Sequence, residues 1–161
     1  IAALWDLSVE ELVQLPFVQD VKAFQFRNPV LKLTEGRRRL LAERAYQGKI
    51  SFKDSPQLPP AKRLRGRKMV LLMGVPASGK SSLVKKWFDE LRPYVPDSDP
   101  IKEVLPGFAN GWGSFNVHKE SAAINELALQ KSMQLGENII YPTIGKDLAK
   151  LRELIANPPP G

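Results

Sequence analysis

Cysteine is absent from the 161 residues, which removes disulfides, thiol catalysis and cysteine-ligated zinc. Histidine occurs once, at His118, a poor basis for a metal site. No apolar run approaches the ~18 residues of a membrane span, so no membrane partner is expected. There is no basic start followed by an apolar stretch and a small-residue cleavage site, so no signal peptide is visible. On these grounds the cytoplasm is the default compartment. No internal repeat is visible. The chain opens on Ile1 rather than Met, and residues are expected to be missing at its front.

What is present is ordinary for a globular protein, 43% hydrophobic and 25% charged, but with a formal net charge of +7. Such an excess suggests an anionic partner: nucleotide, nucleic acid, acidic protein or phosphorylated sugar. The cations are clustered. Arg37, Arg38 and Arg39 form one knot, and Lys62, Arg63, Arg65, Arg67 and Lys68 form another. Each reads either as a solvated face or as a docking surface.

The chain divides near residue 60. In the front part, Ser8 and Glu11 form a capping box for a helix over about 8–15 that Pro16 ends. Thr34-Glu35 opens a second helix, with Leu33, Leu40, Leu41 and Ala45 at helical spacing and Gly48 as its stop. Pro56, Pro59 and Pro60 mark a linker. Behind it, Met69–Met73 reads as a buried parallel strand and Ser81–Leu91 as a helix with Leu83, Trp87, Phe88 and Leu91 toward a core. Tyr94-Val95 is a second strand candidate and Ile101–Leu105 a brief helix. Residues 106–116, with three glycines, read as a mobile loop. His118–Leu135 is a helix closed by Gly136, Asn138–Tyr141 a third strand and Asp147–Ala156 a last helix. Strands alternating with helices predict an α/β fold, a parallel sheet flanked by helices. Three strands are few for such a sheet, and the 61–161 domain is expected to be incomplete at its C-terminus.

The strongest motif is Gly74-Val75-Pro76-Ala77-Ser78-Gly79-Lys80-Ser81, which fits G-x-x-x-x-G-K-S between a predicted strand and a predicted helix. Glycines permit backbone angles that a side chain forbids. The inward-turned N–H groups of such a loop make an anion nest, and the helix behind adds its positive dipole end. Gly74, Pro76, Ala77, Ser78, Gly79, Lys80, Ser81 and Ser82 are therefore expected to bind ATP or GTP. Lys80 would contact the β- and γ-phosphates, and the Ser81 hydroxyl would ligate Mg²⁺.

Asp97 and Asp99 lie about 18 residues beyond Ser81, where the second strand of a phosphate-loop kinase ends. Ligands of open α/β sheets bind at that carboxyl edge. The two carboxylates read either as a base with metal support, Asp97 helping to hold the metal, or as caps of the next helix.

Taken together, residues 74–81, Pro96-Asp97-Ser98-Asp99-Pro100-Ile101-Lys102, Leu105-Pro106, Val117-His118-Lys119-Glu120-Ser121 and Gly136–Ile140 with Thr143 resemble the zeta toxin family. The resemblance covers roughly residues 66–150. It implies a phosphate-loop kinase using ATP or GTP with Mg²⁺, which in that family phosphorylates the 3′-hydroxyl of UDP-N-acetylglucosamine. It implies Asp99 as catalytic base, with Lys80 on the phosphates. Asp97, Lys102, His118, Glu120, Ser121, Thr143 and Lys146 would be the substrate-side residues. For His118, Glu120 and Ser121 a purely structural role is the competing reading. The resemblance also implies a helical antitoxin as a possible partner; by the same analogy residues 1–60 read either as a regulatory helical piece covering the nucleotide site or as helical support for the sheet or a linker to a larger protein. This sequence departs from the pattern at Tyr141-Pro142 and at Ile144, and it stops before the family's lid arginines. Two alternatives remain: a kinase for another acceptor, such as a nucleoside, an antibiotic or an RNA end, and an inactive nucleotide-binding module. The aromatic cluster Phe108, Trp112 and Phe115 reads either as a cover for a nucleotide or as surface packing. Asn125 and Glu126 read as solvated.

Overall fold

The computed structural model describes residues 7–73, 80–143 and 148–157. They form a mixed α/β structure, mostly helical, with a two-stranded parallel sheet. The helices are α1 Val9–Val13, α2 Pro16–Arg27, α3 Glu35–Tyr46, α4 Lys80–Leu91, α5 Asp99–Val104, α6 Ser114–Gln134 and α7 Leu148–Ala156. The strands are β1 Met69–Met73 and β2 Ile139–Thr143.

The caps explain where the front helices begin. Ser8 Oγ accepts the Glu11 N–H at 3.1 Å, and Thr34 Oγ1 accepts the Arg37 N–H at 3.4 Å. Pro16 does end α1, but it also stands at the first position of α2, a helix the sequence reading missed. Proline suits that position because the first helical N–H has no intrahelical acceptor to lose. Gly48 stops α3 at φ +79°, where a side chain would be strained. Of the residues at helical spacing, Ala45 is buried and Leu33 and Leu41 pack against the core, whereas Leu40 is 62% exposed; Ala42 and Tyr46 are buried beside Ala45. The loop expected over 106–116 is shorter than that: a 3-10 turn at Ala109–Gly111 leads into α6 at Ser114.

The parallel register pairs Met69 with Ile139 and Met73 with Thr143. Tyr94 bridges Ile139 from the other side, its N–H donating to Asn138 O at 2.8 Å and its carbonyl accepting from Ile140 N–H at 3.1 Å. β2 therefore lies between β1 and the Tyr94 segment. β1 is less buried than a central parallel strand: Leu71 is 37% and Met73 62% exposed. Among the described residues β2 is its only strand partner.

One buried cluster unites Ala42, Ala45 and Tyr46 of α3 with Tyr94, Ile101, Leu105 and Ile139, and with Val117, Ile124, Ala128 and Leu129 of α6. The core thus takes residues from both sides of the division expected near residue 60. Ion pairs fix α3 along α6 in parallel. Arg38 holds Glu120 through two bonds of 2.7 and 3.0 Å, and further along Lys131 pairs with Glu43. At the far end Tyr46 Oη donates to Glu137 at 3.0 Å.

Candidate functional site

β1 ends at Met73 and α4 begins at Lys80, so the predicted strand and helix flank the glycine-rich motif. The readings on Gly74, Pro76, Ala77, Ser78, Gly79 and Lys146 lie outside the described residues. Of Lys80, Ser81 and Ser82 only the backbone is described, as the first turn of α4.

The register assigns other expected residues to one edge. Thr143 is the last residue of β2, buried, and pairs with Met73, the residue before the motif. Asp97 follows the Tyr94 bridge by three positions, so the acidic segment leaves the sheet at its carboxyl edge as well. Met73, Thr143 and the carboxylate pair thereby share an edge, and parallel strands are what make this so.

Within the acidic segment both carboxylates have partners. Asp97 Oδ1 accepts the Asp99 N–H at 3.0 Å, an Asx turn that launches α5. Asp99 Oδ1 lies 3.4 Å from Lys102 Nζ across one helical turn. The Lys102 side chain is 15% exposed and that of Asp99 67%, so the lysine stem packs while the carboxylate stays open to solvent. Asp97 is solvent-accessible, yet partial desolvation pushes its carboxyl above the ordinary value; the Asp99 N–H opposes this and the Asp99 charge adds to it. Asp97 thus forms the turn, and the open Asp99 carboxylate is the one left to meet an incoming group.

The other substrate-side residues separate by burial. His118 is exposed on the first turns of α6. Glu120 is buried, and Arg38 occupies both its oxygens. That guanidinium, with the Leu33 N–H, holds the Glu120 carboxyl below the ordinary carboxylate range, against the opposing effect of burial. Ser121 is fully buried, and its hydroxyl donates to His118 O at 2.8 Å. In this arrangement Glu120 and Ser121 hold α6 in place, and His118 and Lys119 are the exposed members of the motif.

Of the aromatic cluster, Trp112 packs on Phe17 and Phe24 of α2 with ring centroids 5.6 and 6.3 Å apart, and Phe108 packs against the core. Phe115 is 63% exposed. Glu126 pairs with Lys150 at 2.7 Å, and Asn125 turns its Oδ1 into the interior, so neither is a simple solvated position.

Sequence reasoning assigned Arg63 to an exposed basic run, but it is buried. It donates to Leu58 O at 2.8 Å, to Glu137 at 3.2 Å and to Tyr46 O, and it lies 4.8 Å from both the Tyr46 and the Tyr94 ring centroids. Burial and the Glu137 carboxylate push the Tyr46 hydroxyl up to about 12. Asn138 is the other missed latch: its side chain accepts from Lys68 N–H at 3.1 Å and donates to Leu91 O at 2.9 Å. Two polar residues entering a strand behind a helix-ending glycine were the available signal.

Comparison with protein-family models, with curated proteins and with solved structures finds no match for this chain. Among the described residues there is no group of three acidic, histidine or cysteine side chains able to hold a metal, and no helix long and apolar enough to cross a membrane.

Proposed function

We propose that the chain is a phosphate-loop phosphotransferase resembling the zeta toxin family, which moves the γ-phosphate of ATP or GTP to a hydroxyl of a nucleotide sugar. The observation that carries this reading is the Met73–Thr143 pairing, with the Tyr94 bridge beside it. It supports a nucleotide at the 74–81 turn and an acceptor at Asp97 and Asp99 on the same sheet edge. Lys80 would hold the phosphates and Ser81 a Mg²⁺ ion, which would neutralise charge on the γ-phosphate. Asp99, open to solvent, would accept the proton of the attacking hydroxyl. Asp97 would fix the turn that presents Asp99, and Lys102 would aim that carboxylate.

The test is radiolabelled ATP with a panel of UDP-sugars and 5′-hydroxyl RNA, using the wild type and Asp99→Asn. Label on UDP-N-acetylglucosamine, lost in Asp99→Asn, is the expected result. Label on RNA but on no UDP-sugar rejects the sugar acceptor. A second reading, a nucleotide-binding module without turnover, is favoured by the fact that both carboxylates already have partners. Mg-ATP binding with no transfer to any acceptor selects it.

A further inference from the structure

We propose that the amino edge of the sheet, opposite the glycine-rich turn, carries a binding groove for single-stranded nucleic acid. Leu58, Lys62, Phe88, Asp89 and Arg92 line an open groove of about 520 Å³, within the usual range for ligand sites. Two cations and a half-buried aromatic ring stand against one acid. Exposed Arg65, Arg67 and Lys68 extend the positive charge along the segment that enters β1. The Leu64 N–H donates to Arg92 O at 3.1 Å, which ties this segment to the groove wall, and the Arg67 N–H donates to Gly136 O at 2.9 Å, which anchors its far end. Cations that follow a phosphate backbone, beside an aromatic face on which a base can stack, are the elements of single-strand recognition. An acidic protein would use the charge but has no comparable use for the ring.

The backbone supplies an independent observation. Arg92 and Arg67 both adopt left-handed angles, φ +41° and +53°, where glycine would be unstrained. Arginine at both positions costs stability locally, and at exposed sites its charge is what the chain obtains in return.

The groove lies by the amino end of β1, whereas the motif follows its carboxyl end at Met73; Met69 and Met73 are about 13 Å apart at ~3.3 Å per residue. An oligonucleotide held there is a ligand and not the phosphoryl acceptor, and saturating Mg-ATP should not displace it. Failure of this proposal therefore leaves the kinase reading untouched, and the reverse also holds.

The test is fluorescence anisotropy of a labelled oligo-uridylate with the full chain. Binding at about 50 mM salt should weaken by about twentyfold or more at about 200 mM, as release of counterions from several phosphates requires. Lys62→Glu/Arg92→Glu should reduce affinity at least about tenfold, and Phe88→Leu by about fivefold or more. Arg37→Glu/Arg44→Glu, the same charge change on exposed positions of α3, should have a much smaller effect. Arg92→Gly relieves the strained angle, so it should keep or raise the melting temperature while binding falls; this variant keeps the test valid if Phe88→Leu proves unstable. Absence of binding at low salt overturns the proposal. So does equal loss in the α3 control, or a poly-glutamate competitor as effective as RNA together with indifference to Phe88→Leu.

Discussion

Arg63 and Glu137 meet at 3.2 Å with side chains 0% and 1% exposed, and the guanidinium is held between the rings of Tyr46 and Tyr94. The pair joins the linker before β1 to the entry of β2, on either side of the Tyr94 segment. It closes the amino edge of the sheet and so fixes the register that the carboxyl edge inherits. Desolvating two charges is costly, and here the cost is offset by the Tyr46 hydroxyl, two backbone carbonyls and two ring faces.

Removing one partner leaves the other charge buried alone. Arg63→Met or Glu137→Leu should each lower stability by about 3–5 kcal/mol. The double variant should recover a large part of that loss, because a buried pair replaced by apolar groups of similar size is often close to neutral. Urea denaturation of the two single variants and the double variant measures the coupling. Losses that simply add would mean that the pair does not act as a unit.

Gly113 has a steric necessity that no motif reveals. A Cβ built there would lie 1.6 Å from Gly107 O, which is backbone and can move only if the 107–113 turn opens. Gly113→Ala should therefore cost about 3 kcal/mol or more. Gly111→Ala meets no atom within 4 Å, yet Gly111 stands at φ +104°, so it should cost less but still lower stability. Thermal melts of the two variants separate collision from backbone strain. An unchanged melting temperature for Gly113→Ala would contradict the close approach.

Much of this architecture was legible in the sequence, for identifiable reasons. The β1, α4, α6 and β2 elements announce themselves through an apolar run, a glycine-rich turn, helical periodicity and the stop at Gly136. Helix α2 was missed because Pro16 was read only as a terminator, although proline opens helices equally well. Arg63 was missed because its neighbours Lys62, Arg65, Arg67 and Lys68 are all exposed; the partner that buries it, Glu137, is 74 residues away. For Glu120 the sequence leaves substrate contact and a structural role both open, since nothing local announces its partner Arg38. The shared edge of Met73, Thr143 and Asp97 followed from parallel topology. The occupation of both carboxylates by Asp99 N–H and Lys102 depends on side-chain geometry, which spacing does not specify.

The Arg38–Glu120 pair should make stability depend on acid. The Glu120 carboxyl is held below its ordinary value of 4.5 by the Arg38 guanidinium, and that of Glu43 by Lys131. For depressed carboxylates the contribution to stability is complete above the ordinary value. It is lost as pH falls from about 4.5 through the lower folded value. Melting temperature should be nearly flat from pH 7 to about 5 with respect to these groups and decline below. Glu120→Gln should start lower at pH 7 and decline less steeply. Parallel profiles for the two proteins would show that Glu120 contributes nothing to the acid transition.

The two aspartates should differ in what they tolerate. Asp97 acts through one oxygen that accepts the Asp99 N–H, and an asparagine keeps such an oxygen. Asp97→Asn should therefore retain the turn and most of any transferase activity, whereas Asp97→Ala should lose the bond and misplace Asp99. Asp99 acts as a base only if its carboxylate accepts a proton. Asp99→Asn should then lower kcat by about 10²–10⁴ while leaving Mg-ATP affinity unchanged. Lys102→Met should lie between them, with a modest fall in kcat, because it removes only the partner that aims the carboxylate at 3.4 Å. Titration calorimetry for nucleotide and a phosphotransfer assay for kcat keep the two quantities apart. Equal loss of activity in Asp97→Asn and Asp99→Asn would assign the chemistry to the charge of the pair, through a shared metal, rather than to one base. Full activity in Asp99→Asn would remove this carboxylate from the mechanism altogether.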